Sequence, residues 1–568
     1  MYLPSTSSPN LHSSTSVGTQ RSTSPPCYLS HRSIPKELKP RLPPAHESTP
    51  LLKSHISPID QKMSPLDHTL ERVGMGTYQW KLLVLCGFGW MSDNMWLQSV
   101  AVILPRVQIH FRVSDRWIGL LSTSIFTGMM IGAWTWGNFS DSYGRRHPFN
   151  GTLLMTAVFG LLAGFAPSFE ILSFLLFCLG IGVGGSMPTD GTLFLENIPK
   201  TRHYLLTALS FFFSIGAVIA SVLGLVFLPG ASCREPAATD TLFCNPEIEN
   251  RGWRHMSIAL GVFTFILFGC RVVLFRIQES PKYLMAAGRA AEAIIVLETI
   301  SEHNGDKIYL STADVEDDEE DFNDVMQSHR QRRAGYATLS QPAKSTNAVW
   351  EAIKSGLDDL AGRVEYLFTP HWKLTTTLVW TIWTTVAFGY TCFNVFLPKY
   401  LEKRIGGASS GLEETLRAYV IYTVAGCPGS IIGAWLIETR LGRKYSMVLS
   451  TFLTAVGTLV FITVQTERQV VLSSMLISSA STLMYAVIYG YTPEVFPPSI
   501  RGTACGIASA LSRLAGIFAP LVAGVLMVSS IYLPMYLSVG MFLVSGLCMT
   551  LLPVETRQAR NPSTDQEI

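Results

Sequence analysis

Long apolar segments separated by short polar ones repeat along residues 76–557, and this alternation dominates the chain. Most of the apolar segments have about twenty residues, the length that an α-helix needs to cross a bilayer. A lipid-embedded segment must satisfy its own backbone hydrogen bonds, which a helix does. The pattern predicts an all-α polytopic membrane protein with twelve transmembrane helices. The predicted spans are residues 80–104, 116–137, 149–167, 171–194, 204–228, 255–276, 373–397, 418–437, 446–465, 470–492, 503–528 and 531–552.

The polar segments that flank and divide the apolar ones set the predicted domain bounds. The first is rich in Ser, Thr and Pro, a composition that cannot bury a core and predicts disorder. We predict a disordered cytosolic N-terminal tail (1–75), a six-helix bundle (76–280), a cytosolic central loop (281–372), a second six-helix bundle (373–557) and a C-terminal tail (558–568).

Composition changes this picture little. Of 568 residues, 48 % are hydrophobic and only 15 % are charged, against about a quarter charged in soluble proteins. A net charge of +2 and the lack of a recognition motif give no reason to expect a nucleic-acid partner. Cys233 and Cys244 share a loop predicted to face away from the cytosol, where they form either a disulfide or two free thiols. No catalytic triad, metal-ligand cluster or phosphate loop occurs, so we expect neither an enzyme nor a cofactor or metal.

A short polar motif occurs twice between apolar segments. The first copy begins at Gly137 and ends Asp141-Ser-Tyr-Gly144-Arg145-Arg146, and the second begins at Gly433, 296 residues later, and ends Glu438-Thr-Arg-Leu-Gly442-Arg443-Lys444. Glycine permits a tight turn, and paired cations are typical of the cytosolic side. A second repeat places Glu196 before Arg202 and Glu494 before Arg501. We predict a gating charge network in each half. Its members are Asp141, Arg145, Glu196 and Arg202 in the first half, and Glu438, Arg443, Glu494 and Arg501 in the second.

These repeats resemble the signature loops of the major facilitator superfamily. The Glu196 and Glu494 stretches, and the ends at Ser280-Pro281 and Pro553-Val-Glu555, resemble its sugar-porter branch. Within that branch, Trp90-Met-Ser-Asp93 and Ser512-Arg513 are similar to synaptic-vesicle-protein-related transporters, especially fungal ones. The resemblance implies two pseudo-symmetric six-helix bundles with a binding site between them. The glutamine motif of hexose transporters is missing from the seventh span, which argues against a hexose.

Polar residues inside the apolar spans are the candidate substrate and proton sites. A carboxylate or guanidinium at membrane depth is costly, and it usually faces a cavity or a charged partner. Each candidate also has a structural alternative, which is an ion pair, a hydrogen bond between helices or an aromatic core. The candidates for substrate or proton binding are Asp93, Asp190, Arg513, Tyr390, Asn394, Tyr485 and Tyr489.

We expect a secondary active transporter that moves a small polar organic solute, with a carboxylate as one candidate, by alternating access and with proton coupling. Trp90, Trp96, Tyr485 and Tyr489 suggest an alternative, the efflux of an aromatic secondary metabolite. An alternative of another class is a non-transporting receptor or scaffold. The expected partners are a small-molecule substrate, protons and the lipid bilayer. We expect a monomer in the plasma membrane rather than in a vacuole or vesicle, with both termini cytosolic.

Overall fold

In a computed structural model the chain divides into two units, Met1–Gln61 and Lys62–Ile568. The residues that the structure describes all lie in the second unit. The described residues are 64–203, 205–233, 244–273, 277–315, 361–362, 364–405, 411–437, 439–496 and 498–555. The predicted C-terminal tail, most of the predicted N-terminal tail and Glu438 therefore lie outside the described residues.

Twelve long helices occur in the described part of the chain, which agrees with the predicted number and confirms the all-α class. They are α1 (Thr77–Phe111), α2 (Leu120–Tyr143), α3 (Arg146–Ala163), α4 (Phe169–Glu196), α5 (Leu205–Phe227), α6 (Gly252–Val273), α7 (Lys373–Asn394), α8 (Leu412–Leu436), α9 (Gly442–Thr463), α10 (Glu467–Val495), α11 (Pro498–Ser529) and α12 (Leu533–Thr550).

Eight of these helices are long and apolar enough to cross a membrane by length and composition alone. The other four, α1, α3, α7 and α8, fall short of that criterion. In α1 the reason is visible in its buried polar residues, among them Asp93, Asn94 and Gln98. Polar residues inside a spanning helix face neighbouring helices or a cavity, so α1 is expected to line a functional surface.

The helices pack in two sets with the same internal arrangement. In the first half α1 packs on α5, α2 on α4, and α3 on α4 and α6. In the second half α7 packs on α11, α8 on α10, and α9 on α10 and α12. The halves meet where α5 packs on α8 and where α2 packs on α11. This pseudo-twofold arrangement agrees with the sequence repeat.

The two ends of the bundle differ in chemistry. At one end Gly144 and Gly442 turn the chain with positive φ angles of 97° and 66°, a backbone conformation that favours glycine. We call this end, with its flanking Arg145 and Arg443, the Gly-Arg end. At the other end Cys233 and Cys244 form a disulfide, and we call it the disulfide end.

Several short helices lie at the Gly-Arg end, and one of them corrects a prediction. Residues 65–73 were expected to be disordered, but they form the helix Pro65–Val73, capped by the side chain of Ser64. This helix is stabilised by ion pairs from Asp67 to Lys200 and Lys282, which sequence composition does not reveal. The helices Pro281–Ala286 and Ala290–Asn304 lie in the predicted central loop.

Candidate functional site

A cavity of about 220 Å³ lies between the two halves. Side chains of α1, α2, α5, α7, α8, α10 and α11 line most of it. Six of the seven predicted substrate or proton residues are brought together in its wall, and Asp190 is the exception. The six are Asp93, Arg513, Tyr390, Asn394, Tyr485 and Tyr489.

Asp93 supplies a buried carboxylate to the cavity. It lies about 24 Å along α1 from Thr77 at 1.5 Å per residue, close to the middle of the helix. Its side chain is 1 % exposed, and the Ser186 hydroxyl of α4 donates to Oδ1 over 2.7 Å. Its other oxygen, Oδ2, accepts no hydrogen bond from the described residues. That oxygen is buried and has no protein donor among the described residues.

Arg513 supplies the opposite charge from the second half. It lies about 22 Å along α11 from Pro498, at a depth similar to that of Asp93. Its Nη1 donates to the Met129 carbonyl of α2 over 3.3 Å. No carboxylate of the described residues forms an ion pair with it, although Asp93 is near enough for the two charges to interact through space. The guanidinium thus keeps donors available on the cavity side.

Aromatic rings form a second wall of the cavity. Tyr390 meets Tyr485 edge to face at 5.2 Å between ring centroids, and Trp383 meets Tyr489 at 4.9 Å. Trp90 also lines the cavity, and its indole N–H has no acceptor among the described residues. Trp96, a further aromatic candidate, is instead buried in the first half, where it donates to Thr264 over 3.1 Å.

A layer of uncharged polar side chains closes the cavity towards the disulfide end. We call it the polar layer, and it consists of Asn94, Gln98, Asn394, Tyr419 and Tyr422. Gln98 accepts from the Asn394 amide over 3.1 Å and from the Tyr419 hydroxyl over 2.7 Å. Tyr422 donates to Asn394 over 3.1 Å. Since Gln98 belongs to the first half and its partners to the second, these bonds hold the halves together.

Asp190 has a structural partner that the sequence analysis missed. It forms an ion pair of 2.6 Å with Arg271 of α6, and both side chains are fully buried. Arg271 also donates to the backbone carbonyls of Leu85 and Phe149. Asp190 is therefore committed to a charge network inside the first half and does not line the cavity. Arg271 was overlooked because it lies near the end of an apolar span, where a cation is ordinary.

The charged residues of the first repeat form a network at the Gly-Arg end. Arg145 forms ion pairs with Asp141 and, over 3.1 Å, with Glu196. Its backbone N–H donates to Glu279 over 2.7 Å, so the turn at Gly144 is bound by the segment that follows α6. A burial penalty lowers the pKa of Arg145, but Glu196 and Asp141 outweigh it and raise that pKa overall. Arg202 lies on the exposed turn Lys200–Arg202.

The second repeat forms a comparable network. Arg443 forms an ion pair with Glu494 over 2.7 Å, and its backbone N–H donates to Glu555 over 2.9 Å. Arg501 donates to the carbonyl of Phe496 over 3.2 Å. Glu279 and Glu555 are thus the network members that the sequence analysis did not assign. Their position shortly after α6 and α12, in the two stretches that resemble sugar porters, was the available signal.

Known proteins resemble this chain along nearly its whole length. The family described as "Sugar (and other) transporter" matches residues 73–559. An MFS-type transporter of Schizosaccharomyces pombe is 32 % identical over 87 % of this chain and 88 % of its own length. The synaptic vesicle 2-related protein of Bos taurus is 27 % identical over 89 % of this chain and 83 % of its own length.

A solved structure shows a similar fold. The xylose transporter XylE of E. coli, in a partially occluded inward-open conformation, superimposes with a TM-score of 0.60 at 16 % identity. The match covers 85 % of this chain and 99 % of that one. At this identity the likeness concerns the arrangement of helices alone.

Proposed function

Because this chain belongs to the sugar and other transporter family of the major facilitator superfamily, we propose that it moves a small organic carboxylate between its halves, coupled to a proton. The family consists of transporters, not enzymes. The observation that carries the proposal is the pair of opposite charges, Asp93 and Arg513, that face one cavity without forming an ion pair.

Arg513 is the proposed anchor for the carboxylate. Guanidinium groups bind carboxylates through two parallel hydrogen bonds, and such bonds are strong where water is excluded. The cavity of about 220 Å³ is smaller than the about 300–1,000 Å³ typical of pockets for drug-sized ligands, which favours a small solute. Tyr390, Tyr485 and Tyr489 would contact the rest of the solute.

Asp93 is the proposed proton site. Asp93 lines the same cavity as Arg513 and has a carboxylate oxygen without a protein donor, so a proton and an anionic solute would occupy neighbouring positions. Binding both adds no net charge to the cavity, which lowers the cost of moving the loaded site through the membrane. We assign Asp190 a structural role because Arg271 already neutralises it.

The orientation proposed is that the Gly-Arg end faces the cytosol. Arg145, Arg146, Arg443 and Lys444 lie there, as the positive-inside rule favours, whereas the disulfide fits an oxidising compartment. We propose the plasma membrane, both termini in the cytosol, and a monomeric transporter, since one chain encloses the whole cavity. The charge networks of Arg145 and Arg443 would rearrange when the cytosolic side closes.

Uptake into proteoliposomes tests the substrate assignment. The panel contains nicotinate, hydroxybenzoate, a hexose, a polyol and a hydrophobic phenol, each with and without an inward proton gradient. We expect uptake of an acid driven by the gradient. Arg513→Gln should lower that uptake about ten- to hundredfold, because hydrogen bonds to charged groups contribute about 1.5–3 kcal/mol. Arg417→Gln, which removes an exposed ion pair on α8, is the matched control.

The same assay tests the proton site. Asp93→Asn should abolish the response to the gradient while solute counterflow persists. Full proton-driven uptake in Asp93→Asn would show that the proton binds elsewhere.

The aromatic wall supports a second candidate function, export of an aromatic metabolite. Flux of the phenol alone, against the proton gradient, would select that candidate and exclude the carboxylate.

A further inference from the structure

Charged contacts join the two halves at the disulfide end, beyond the polar layer. Arg106 of α1 forms an ion pair with Glu402 of the short helix Leu397–Ile405, which follows α7. Lys399 of the same helix lies 2.5 Å from Asp115, on the first half. The Arg106 side chain is 1 % exposed and that of Glu402 is 19 % exposed. Both pairs must separate if the cavity is to open at this end.

The disulfide loop holds Arg106 from a third direction. The guanidinium donates to the backbone carbonyl of Cys233, next to the bond with Cys244. The buried Asn250 side chain donates to the Arg106 carbonyl over 2.8 Å. The backbone N–H of Gly252 donates to the carbonyl of Ala231 over 2.6 Å. The two ends of the loop are therefore joined by this hydrogen bond as well as by the disulfide. The side chain and the backbone of Arg106 are thus both held by hydrogen bonds to this region, in addition to the ion pair with Glu402.

We propose that Arg106 and Glu402 form the gate at the disulfide end, and that the Cys233–Cys244 disulfide is its positioning element. Opening at this end would withdraw Glu402 from a guanidinium that is 1 % exposed in the closed arrangement, and breaking a buried ion pair is costly. The ion pair therefore favours the state closed at this end. Cleaving the disulfide releases the Cys233 carbonyl and weakens the hold on Arg106, which shifts the equilibrium towards opening.

This gate is independent of which solute is carried, since none of its residues lines the cavity. It requires only that the cavity opens alternately to both ends. A test therefore has to report the conformation and not the rate of transport. Ser478 of α10 lines the cavity and can serve as a reporter position.

The experiment measures the labelling rate of Ser478→Cys in full-length protein, with a membrane-impermeant maleimide added from the disulfide end of oriented proteoliposomes. The background rate of the native cysteines is subtracted. Glu402→Gln should raise the rate at least about fivefold, the lower range of allosteric coupling. Arg106→Lys, which keeps the charge, should stay closer to the starting rate. Glu413→Gln removes an exposed ion pair within α8 and should leave the rate unchanged.

The disulfide is tested with Cys233→Ser/Cys244→Ser and, should that variant not fold, with an impermeant phosphine reductant applied to the folded protein and then removed. Either treatment should raise the labelling rate, and combining it with Glu402→Gln should add little. An unchanged rate in Glu402→Gln would overturn the gate. A raised rate in Glu402→Gln with no effect of disulfide loss would overturn the positioning role.

Discussion

Gly89 allows α1 to pack directly against the buried Asp190–Arg271 ion pair. A Cβ atom at position 89 would lie 1.9 Å from Asp190 Oδ2 and 2.3 Å from Arg271 Nη2. Both distances are far shorter than any real contact. Only a glycine at position 89 leaves room for the ion pair beside α1. The sequence of α1 is therefore constrained by a charge network on α4 and α6.

We expect Gly89→Ala to destabilise the protein strongly. Disrupting a buried ion pair costs about 3–5 kcal/mol, so the thermal unfolding midpoint in detergent should fall by several degrees. Gly540→Ala is the control, since a Cβ there meets nothing within 4 Å. Equal midpoints for the two variants would show that the Asp190–Arg271 pair moves aside at little cost.

Charged residues were predictable one at a time, and their partners were not. Asp93 and Arg513 stand out because each is a charge within an apolar span, and both line the cavity. Asp190 stands out equally, but its pairing with Arg271 depends on which helices pack together. Gln98 and Tyr419 join the polar layer through hydrogen bonds between sequence positions 321 residues apart. Spacing along one helix contains no information about such neighbours.

At the scale of elements, the helix Pro65–Val73 shows how a polar segment becomes ordered. Asp67 forms ion pairs with Lys200 over 2.7 Å and with Lys282 over 2.8 Å. Glu71 accepts a hydrogen bond from the Thr201 hydroxyl over 2.9 Å. Burial would raise the pKa of Asp67, but the two lysines outweigh it and leave that pKa below its ordinary 3.8. Asp67 therefore stays ionised at neutral pH, and the docked helix bridges the α4–α5 connection and the segment after α6.

Asp67→Asn should release this helix from the bundle. Hydrogen exchange followed by mass spectrometry should show faster exchange for amides 66–73, with the transmembrane helices unchanged. Arg72→Gln on the same helix removes a largely exposed pair with Asp314 and should have little effect.

The pH dependence of the docking has a definite sign. A depressed carboxyl pKa contributes stability above its ordinary value of 3.8 and loses it as pH falls through the lowered pKa. The hydrogen-exchange rate of residues 66–73, corrected for intrinsic rates, should therefore stay constant from neutral pH down to about pH 3.8. Acceleration near pH 6 would assign the docking to another group.

At the scale of the whole molecule, the halves are joined in three layers on the disulfide side of the cavity. The first consists of Ser221 of α5 and Thr423 of α8, whose hydroxyl oxygens lie 2.7 Å apart. The polar layer and the charged pairs of Arg106 and Lys399 form the others. The cavity is thereby separated from the disulfide end.

A cross-link at the first layer should arrest the cycle. Ser221→Cys/Thr423→Cys should lose transport after mild oxidation, because the halves can no longer part at this end. Each single variant, treated in the same way, should keep transport. Continued transport by a fully cross-linked double variant would mean that the halves do not separate along α5 and α8.

The repeated motifs around Gly144 and Gly442 were sufficient to predict two equivalent halves, since their spacing is a property of the chain alone. Helix ends moved by several residues, as α1 extends from Thr77 to Phe111 against a predicted span of 80–104. The closure of the cavity at the disulfide end was not predictable, because it depends on the balance of contacts between the halves. The helix Leu397–Ile405, which carries Lys399 and Glu402, was not predicted, because it is short and polar and lies beyond the predicted seventh span.

The buried Asp190–Arg271 pair has a consequence for how the protein is made. A charged side chain in a spanning helix opposes release from the translocon into lipid, by about 2.5–3.5 kcal/mol at the helix centre and by less towards the helix ends. Arg271 therefore penalises α6 as long as α6 is alone, whereas Asp190 is already present on α4, which is synthesised earlier. Pairing during biogenesis removes both penalties at once. We therefore expect α4 and α6 to enter the membrane as part of one group of helices.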